Sequence, residues 1–293
     1  MSRSHKNEKS EKKPLSGEKP GFFFNNGFCR GKQTRHGYML YNPNDFIGQT
    51  LEVYGEWSYA EIDFLGQVIK PGFVILDVGA YIGTHSLSFA QQVEPDGFVF
   101  CFEPQRIAFE FLSANIVLNN RTNIFPMHAA VSDTIGEIMV PVINPSNPAN
   151  TAAFKISGHQ MGDAVRQVTI DSLGLGRCNL IKIDVEGMEN NVIAGAQETI
   201  RKFRPVLFLE NNGFGDSVQL IDRILELNYK MWWFFSPPVE PNTPFDPEIN
   251  DKNMFCLPAE WNINVNGLET VLDANDTGKL AFQRLIASTA GKG

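Results

Sequence analysis

The sequence predicts a doubly wound α/β fold, in which helices cover both faces of a Rossmann-like, mostly parallel sheet. From Phe73 onward, apolar runs of strand length alternate with segments whose apolar residues recur at helical spacing. The runs are apolar throughout, which is typical of strands that are covered on both faces. Strands that alternate with helices indicate crossover connections and therefore a mostly parallel sheet.

Five apolar runs are the predicted parallel strands. In chain order they are Phe73–Gly79, Phe98–Pro104, Asn123–Ser132, Asn179–Val185 and Arg204–Asn212. Pro126 in the third run favours an edge position, because proline cannot donate to a strand ladder. Two further runs, YKMWWFF and NMFCLP, predict a closing strand pair around a proline-rich insertion near 236–252.

Helices are predicted between these strands. THSLSFAQQV follows the first strand, and after the second strand Ile107, Phe111, Ala114 and Leu118 recur at helical spacing. MENNVIAGAQETIRKF separates the fourth strand from the fifth. DSVQLIDRILELN follows the fifth strand and opens with Asp216, a residue type that is favoured as an N-cap.

Length and composition predict one main domain with a decorated N-terminus. The chain has 293 residues, enough for one large α/β core. We expect a lysine-rich disordered tail at 1–20, because it has few apolar residues. A lead-in at 21–70 is expected to pack on the core and to border the substrate side, and the main domain spans 71–293.

Composition also argues against several kinds of partner. The net charge of −8 disfavours a nucleic-acid footprint. We expect a cytoplasmic protein without a membrane segment, because neither a long apolar stretch nor a secretory apolar region is present. The cysteines are far apart and contain no C-x-x-C pair, which disfavours a zinc site and a disulfide framework: they are Cys29, Cys101, Cys178 and Cys256.

The loop after the first predicted strand, DVGAYIG, carries glycines at positions 79 and 83. A dinucleotide-binding loop has Gly-x-Gly-x-x-Gly here, whereas Asp77 takes the place of the first glycine. A carboxylate would repel a pyrophosphate but attract an ammonium group. S-adenosylmethionine has an ammonium, a sulfonium and a ribose but no phosphate, so the loop favours this cofactor. A tight turn without any ligand is the structural alternative.

Glu103 ends the second predicted strand, where its carboxylate is placed to accept hydrogen bonds from both hydroxyls of a ribose. An acid at this position also occurs in NAD-binding proteins, so Glu103 alone does not discriminate between the two cofactors. Together with the glycine loop, it predicts a nucleoside-containing cofactor at the switch point of the sheet.

Five segments together resemble the FkbM-type methyltransferases, a branch of the class I S-adenosylmethionine-dependent enzymes. They are ILDVGAYIGTHSLSFA, FCFEPQR, HAAVSD, VTIDSL and IKIDVEGMENNVIAGA, and the resemblance spans roughly Gly37 to Pro258. It implies a seven-stranded sheet whose last strand is antiparallel, and methyl transfer from the cofactor sulfonium to an oxygen. It also implies that Val131 and Asp133 lie at the adenine.

The predicted cofactor-binding residues combine the loop, the strand ends and the resemblance. They are Asp77, Gly79, Ala80, Tyr81, Gly83, Thr84, His85, Glu103, Pro104, Val131, Asp133 and Asp184.

Carboxylates end the fourth and fifth predicted strands. Methyl transfer to an alcohol needs a base or a metal, so Asp184, Glu186 and Glu210 are the predicted catalytic residues. Asp184, Glu210 and Asn211 resemble the trio that holds magnesium in catechol-type O-methyltransferases, and such oxygen ligands suit Mg²⁺. The FkbM resemblance does not require the metal. Asn211 could instead cap a helix, and Glu186 could favour the N-terminus of the helix near Met188.

We therefore expect a methyltransferase that acts on a hydroxyl of a small acceptor, either a carbohydrate or a natural product. An NAD-dependent oxidoreductase is disfavoured by Asp77. A nucleic-acid methyltransferase is disfavoured because amino-methylating enzymes resemble one another in an Asn/Asp-Pro-Pro-aromatic motif where this chain has IDVEG. A non-catalytic cofactor-binding module is a third alternative, and a homo-oligomer stays open.

Overall fold

The computed structural model describes residues 23–144, 158–212, 217–236 and 251–290. The predicted tail at 1–20 lies outside the described residues. So do Asp216 and most of the predicted insertion near 236–252.

An N-terminal lead-in precedes the main sheet. Its elements are β1 Phe24–Asn25, β2 Arg30–Thr34, β3 Gly37–Tyr41, α1 Phe46–Tyr54 and α2 Tyr59–Gly66. The strands β1 to β3 form an antiparallel three-stranded sheet. Met39, Tyr41, Leu51 and Leu65 are buried in one apolar cluster with Ile75 of the main sheet, so the lead-in packs directly on the core.

The remaining strands build the main sheet and a smaller second sheet. They are β4 Val74–Val78, β5 Phe98–Phe102, β6 Ile124–Met127, β7 Ala130–Val131, β8 Gly136–Val140, β9 Asp163–Val168, β10 Leu180–Ile183, β11 Val206–Glu210, β12 Tyr229–Phe235, β13 Lys252–Pro258 and β14 Glu269–Thr270. The helices are α3 Thr84–Val93, α4 Arg106–Leu118, α5 Glu189–Ala194, α6 Gln197–Phe203, α7 Ser217–Glu226 and α8 Gly278–Ala290.

The main sheet has the strand order β6-β5-β4-β10-β11-β13-β12-β14. Strands β6, β5, β4, β10 and β11 are parallel, and β13 runs antiparallel to both of its neighbours. After β4, the chain adds β5 and then β6 on one side of β4. It then returns and adds β10 on the other side of β4. The switch point of this doubly wound sheet therefore lies between β4 and β10, which confirms the predicted fold class.

The main sheet has one strand more than the seven that the resemblance implies. Within the described residues the sheet has eight strands, because the two-residue strand β14 pairs antiparallel with β12. A two-residue strand is too short to show a periodic pattern, so the sequence carries no signal for it.

Two predicted elements are interrupted in the structure. The third predicted strand divides into β6, at the edge of the main sheet as Pro126 indicated, and β7, which joins the small sheet with β9 and β8. The long helix predicted before β11 divides into α5 and α6 at Gly195. A Cβ at Gly195 would lie 2.0 Å from the carbonyl oxygen of Ser132, so this break lets the helical segment approach the neighbouring loop.

Both faces of the main sheet are covered. Leu76 and Val78 of β4 lie in one buried apolar cluster, whereas Ile75 of the same strand lies in a second cluster on the opposite face. Strands buried on both sides explain the continuous apolar runs of the sequence. Among the described residues, no helix is both long enough and apolar enough to cross a bilayer.

Candidate active site

The polar strand ends that the sequence singled out meet at the carboxyl edge of β4, β5, β10 and β11. Backbone hydrogen bonds bind the strand ends to one another: the amide of Gly79 donates to the carbonyl of Phe102, and the amide of Asp184 donates to that of Val78. The glycine loop, Glu103 and the carboxylates after β10 and β11 therefore surround one crevice at the switch point.

Glu103 is held beside the glycine loop by backbone hydrogen bonds. The amide of Tyr81 donates to Oε2 and that of Gln105 donates to Oε1, both at 2.8 Å. The side chain is buried. Burial raises the pKa of Glu103 to about 7, although these two hydrogen bonds act in the opposite direction. Each carboxylate oxygen has a second lone pair, so the group can still accept from a ligand.

The packing of the loop explains the two glycines without reference to a ligand. Gly79 and Gly83 have φ values of +83° and +91°, which favour glycine. A Cβ at Gly79 would lie 1.7 Å from the carbonyl oxygen of Asp184, and a Cβ at Gly83 would lie 2.8 Å from Leu112. Both glycines therefore permit close packing of the loop, and their contact with a cofactor stays a prediction.

Asp77 lies within β4 and is fully buried. Its Oδ2 accepts a hydrogen bond from the hydroxyl of Ser86 at 2.6 Å. Its Oδ1 lies 3.7 Å from Nζ of Lys182, too far for a hydrogen bond, and has no hydrogen-bond partner among the described residues. The predicted contact with an ammonium group stays a prediction.

Lys182 is a functional candidate that the sequence reasoning missed. Its ammonium group is buried in β10, 3.1 Å from Oδ2 of Asp184. Burial acts to lower the pKa of Lys182, but the charges of Asp184, Asp77 and Glu61 outweigh it and raise the pKa above its ordinary value. A lysine within an otherwise apolar strand was the available signal, because a buried cation needs carboxylate partners.

Three carboxylates gather at the ends of β10 and β11. The oxygen atoms of Asp184, Glu186 and Glu210 all lie within 4.8 Å of one another. Burial raises the pKa of Glu210 well above its usual range, and the negative charges of Asp184 and Glu186 raise it further. Asp184 keeps 41% of its side chain exposed and Glu186 is also partly exposed, whereas Glu210 is buried.

Local hydrogen bonds surround the residues next to Asp184 and Glu210. Oε1 of Glu189, the first residue of α5, accepts from the amides of Val185 and Gly187, and a role of Glu186 at this helix stays a prediction. The side-chain nitrogen of Asn211 donates to the sulfur of Met254 at 3.5 Å. This contact occupies one end of the amide, and metal ligation by Asn211 stays a prediction.

The predicted adenine side contains a narrow apolar pocket. It is lined by Val78, Gly79, Phe102, Pro104, Ala129, Ala130, Val131, Val185 and Met188. Three predicted residues, Gly79, Pro104 and Val131, are therefore brought together there. Asp133 is exposed and accepts a hydrogen bond from the hydroxyl of Ser132 at 3.1 Å.

The other predicted cofactor residues lie in the glycine loop and in the first turn of α3. Ala80 and Thr84 are buried, and Tyr81 is partly buried with a φ of +48°. His85 is buried in the first turn of α3, and its Nε2 lies 3.2 Å from Oε2 of Glu61. Glu61 belongs to the lead-in and was not predicted.

The sequence of this region matches a known family model. The model of the methyltransferase FkbM domain matches residues 77–231, more than half of the chain, and this span contains every predicted site residue. The chain belongs to the FkbM methyltransferase family.

Curated proteins of known name resemble this FkbM domain. The 2-O-methyltransferase NoeI of Sinorhizobium fredii is 30% identical, with 46% of this chain and 62% of the relative covered. The hexuronic acid methyltransferase AglP of Haloferax volcanii is 28% identical, with 46% and 54% covered. The 31-O-demethyl-FK506 methyltransferase FkbM of Streptomyces tacrolimicus is 28% identical, with 45% and 63% covered. The chain spans less than two thirds of the length of these relatives.

The crevice of this FkbM domain fits S-adenosylmethionine. Glu103 has lone pairs left for the ribose hydroxyls, and apolar side chains line the neighbouring pocket on the predicted adenine side. Oδ1 of Asp77 has no hydrogen-bond partner among the described residues, and its contact with the ammonium group of the cofactor stays a prediction. The surrounding carboxylates favour a ligand that carries positive charge.

Proposed function

We propose that the protein is an S-adenosylmethionine-dependent O-methyltransferase that acts on a hydroxyl of a carbohydrate or secondary metabolite. The observation that carries this proposal is the position of Glu103 and Asp184 around one glycine loop. Glu103 is held by the amide of Tyr81, and the carbonyl of Asp184 lies where a Cβ of Gly79 would be. One carboxylate is thus set for a ribose and the other for the reacting end of the cofactor.

Each group in the crevice has a definite task in this proposal. S-adenosylmethionine supplies, when bound, an electrophilic methyl group on a cationic sulfur. Glu103 holds the ribose, and Asp77 offers its Oδ1 to the ammonium group. Asp184, partly exposed and fixed by Lys182, accepts a hydrogen bond from a hydroxyl of the acceptor and orients it. Positioning of this kind supplies much of the rate in a displacement reaction.

The charge of the crevice disfavours an NAD-dependent oxidoreductase. Lys182 is surrounded by Asp77, Asp184 and Glu61, so its positive charge is already balanced. A pyrophosphate would add two negative charges to a site that is rich in carboxylates. A cationic cofactor relieves this repulsion.

The acceptor class is proposed from the names of the relatives. Two of these names specify transfer to an oxygen, and one names a hexuronic acid. Loops beside the carboxyl edge set specificity in such folds. Here the segment 141–162 and the insertion near 236–252 lie in large part outside the described residues.

A magnesium ion is a separate proposal. The chemistry of Asp184, Glu186 and Glu210 fits a hard cation, because three carboxylate oxygens lie within 4.8 Å of one another. Glu186 takes the place of Asn211 as the third ligand in this version of the site. Activity that survives exhaustive chelation by EDTA would rule the ion out of the reaction.

Methyl transfer is tested directly with S-adenosylmethionine labelled in its methyl group. The acceptors are the methyl glycosides of glucose, mannose and fucose, and free glucuronic acid. We expect label in at least one sugar, together with binding of S-adenosylhomocysteine measured by calorimetry. Cofactor binding without transfer to any acceptor in a broadened carbohydrate and natural-product screen would favour the non-catalytic binding module.

Replacing Asp184 by Asn should lower kcat by about a hundredfold, because the acceptor loses its orienting carboxylate. The affinity for S-adenosylhomocysteine should change little. Steady-state kinetics and calorimetry measure the two effects. The control is Glu110→Gln, on the exposed surface of α4. Full activity of the Asp184→Asn variant would remove this residue from the mechanism.

A further inference from the structure

A buried hydrogen-bonded cluster lies beside the glycine loop and has no role in the proposal so far. Its centre is Glu61 of α2. Oε2 of Glu61 is 3.2 Å from Nε2 of His85. Oε1 of Glu61 accepts a hydrogen bond from the hydroxyl of Ser236 at 2.5 Å and another from the side-chain nitrogen of Asn253 at 3.1 Å. The cluster therefore joins the lead-in, the first turn of α3 and the ends of β12 and β13.

Glu61 is held in its ionised form. Burial acts to raise its pKa, but the hydrogen bonds with His85 and with the hydroxyl of Ser236, together with the charge of Lys182, bring the pKa below its usual range. A carboxylate can only accept a hydrogen bond. Glu61 therefore selects the imidazole tautomer in which Nε2 carries the proton and Nδ1 keeps its lone pair.

His85 lies in the first turn of α3, two residues after Gly83 of the glycine loop. Ser236, which also contacts Glu61, directly follows β12 of the main sheet. Among the described residues, Glu61 is the one hydrogen-bond partner of the imidazole. A second ring nitrogen is thus available to a ligand.

The other nearby carboxylate already has a hydrogen-bond partner. Oδ2 of Asp184 accepts from the ammonium of Lys182 at 3.1 Å. Lys182 also lies close enough to Glu61 for each charge to shift the pKa of the other. A series of charged groups therefore links the carboxylate of Asp184 to the imidazole of His85.

We propose that His85 is the general base of methyl transfer and that Glu61 is its positioning residue. This proposal rests on the proposed function. The hydroxyl oxygen of the acceptor forms a bond to the methyl carbon, and the electron pair of the broken carbon–sulfur bond stays on sulfur. The hydroxyl proton passes to Nδ1 of His85 and then to solvent. Asp184 meanwhile holds a neighbouring hydroxyl of the acceptor. A hydroxyl nucleophile, a histidine base and a carboxylate that orients the base are also the components of a Ser-His-Asp catalytic triad.

The tautomer is tested without any acceptor. The chain has five histidines, so ¹⁵N-histidine labelling gives few signals, and His85→Gln identifies the one that matters. We expect the Nε2–H tautomer in the wild type and a mixture of tautomers in Glu61→Gln. A wild-type His85 that carries its proton on Nδ1 would overturn the proposal, because Nδ1 could then not accept the hydroxyl proton of the acceptor.

Turnover is tested with the sugar that the wild type methylates. His85→Gln and His85→Ala should lower kcat by about 10²–10⁴-fold while the affinity for S-adenosylhomocysteine changes less than about threefold. His85→Gln retains a hydrogen-bonding side chain beside Glu61. It can therefore be used for the kcat measurement if His85→Ala does not fold. Added imidazole should restore part of the activity of His85→Ala, and it should not restore activity to Asp184→Asn.

The two proposals fail in different ways. Absence of methyl transfer by the wild type in the broadened screen would overturn both. Transfer by the wild type and full kcat in both His85 variants would overturn the assignment of the base alone. Loss of cofactor affinity equal to the loss of kcat, without rescue by imidazole, would make His85 a cofactor-binding residue instead.

Discussion

Glu103 combines burial with hydrogen bonds that only partly satisfy it. Backbone amides take one lone pair on each oxygen, and the remaining acceptor capacity faces the crevice. A buried carboxylate with unused acceptor capacity is costly unless a ligand provides donors. The two hydroxyls of a ribose would supply donors of the correct number.

Replacing Glu103 by Ala should weaken binding of S-adenosylhomocysteine by about 1.5–3 kcal/mol, roughly 10–100-fold, as expected for hydrogen bonds to a charged group. Isothermal titration calorimetry measures this loss. Glu110→Gln, on the next helix, provides a control acid at the surface. Unchanged affinity in Glu103→Ala would place the ribose elsewhere.

The pKa of Glu103 also predicts how cofactor binding depends on pH. Burial raises this pKa to about 7 in the cofactor-free protein, so the group is protonated below that pH. Ribose hydroxyls donate to the carboxylate and favour its ionised form, so binding releases a proton. Affinity should therefore fall by up to about tenfold per unit as pH decreases below 7, and level off above it.

Calorimetry of S-adenosylhomocysteine across this pH range measures the effect, and Glu103→Gln should flatten it. The control is necessary because burial also raises the pKa of Asp251 to about 6, within the same range. A slope that persists in Glu103→Gln would assign the proton to another group.

At the scale of elements, the turn after β4 is tightly packed against the end of β10. Gly79 and Gly72 have nearly the same φ, +83° and +82°, but a Cβ at Gly72 would meet no atom within 4 Å. Substituting Gly72 measures only the free-energy cost of a left-handed backbone conformation, whereas substituting Gly79 adds the cost of steric overlap.

Gly72→Ala should lower the free energy of unfolding by about 1–2 kcal/mol, the cost of a left-handed conformation. Gly79→Ala should lose a further ~1–3 kcal/mol, because its Cβ would overlap the carbonyl of Asp184 at 1.7 Å. Urea denaturation measures both. Equal losses in the two variants would contradict the packing role assigned to Gly79.

The parallel strands were predictable because each is a continuous apolar run that ends in a polar turn. The position of Glu103 beside the loop also followed, since parallel strands end at one edge. Lys182 and Glu61 were not predicted. Their importance depends on contacts between distant segments: Lys182 meets Asp77 of β4, and Glu61 meets His85 of α3. A sequence pattern shows neighbours along one element, but it does not show which buried charges pair across the fold.

At the scale of the whole molecule, net charge and local charge act in the same direction. The chain has a net charge of −8, and the crevice gathers carboxylates around the buried Lys182. Such a site should prefer a cationic cofactor to a dinucleotide. This preference distinguishes the methyltransferase proposal from the oxidoreductase alternative at the level of binding alone.

S-adenosylhomocysteine at about a hundred times its dissociation constant should stabilise the folded protein by about 2.7 kcal/mol and raise Tm by several degrees. NAD at the same concentration should leave Tm unchanged, because its pyrophosphate would face the carboxylates of the crevice. Scanning fluorimetry measures both shifts, and Glu103→Ala should reduce the response to S-adenosylhomocysteine. If NAD raised Tm equally in the wild type, the electrostatic basis for choosing between the two cofactors would be lost.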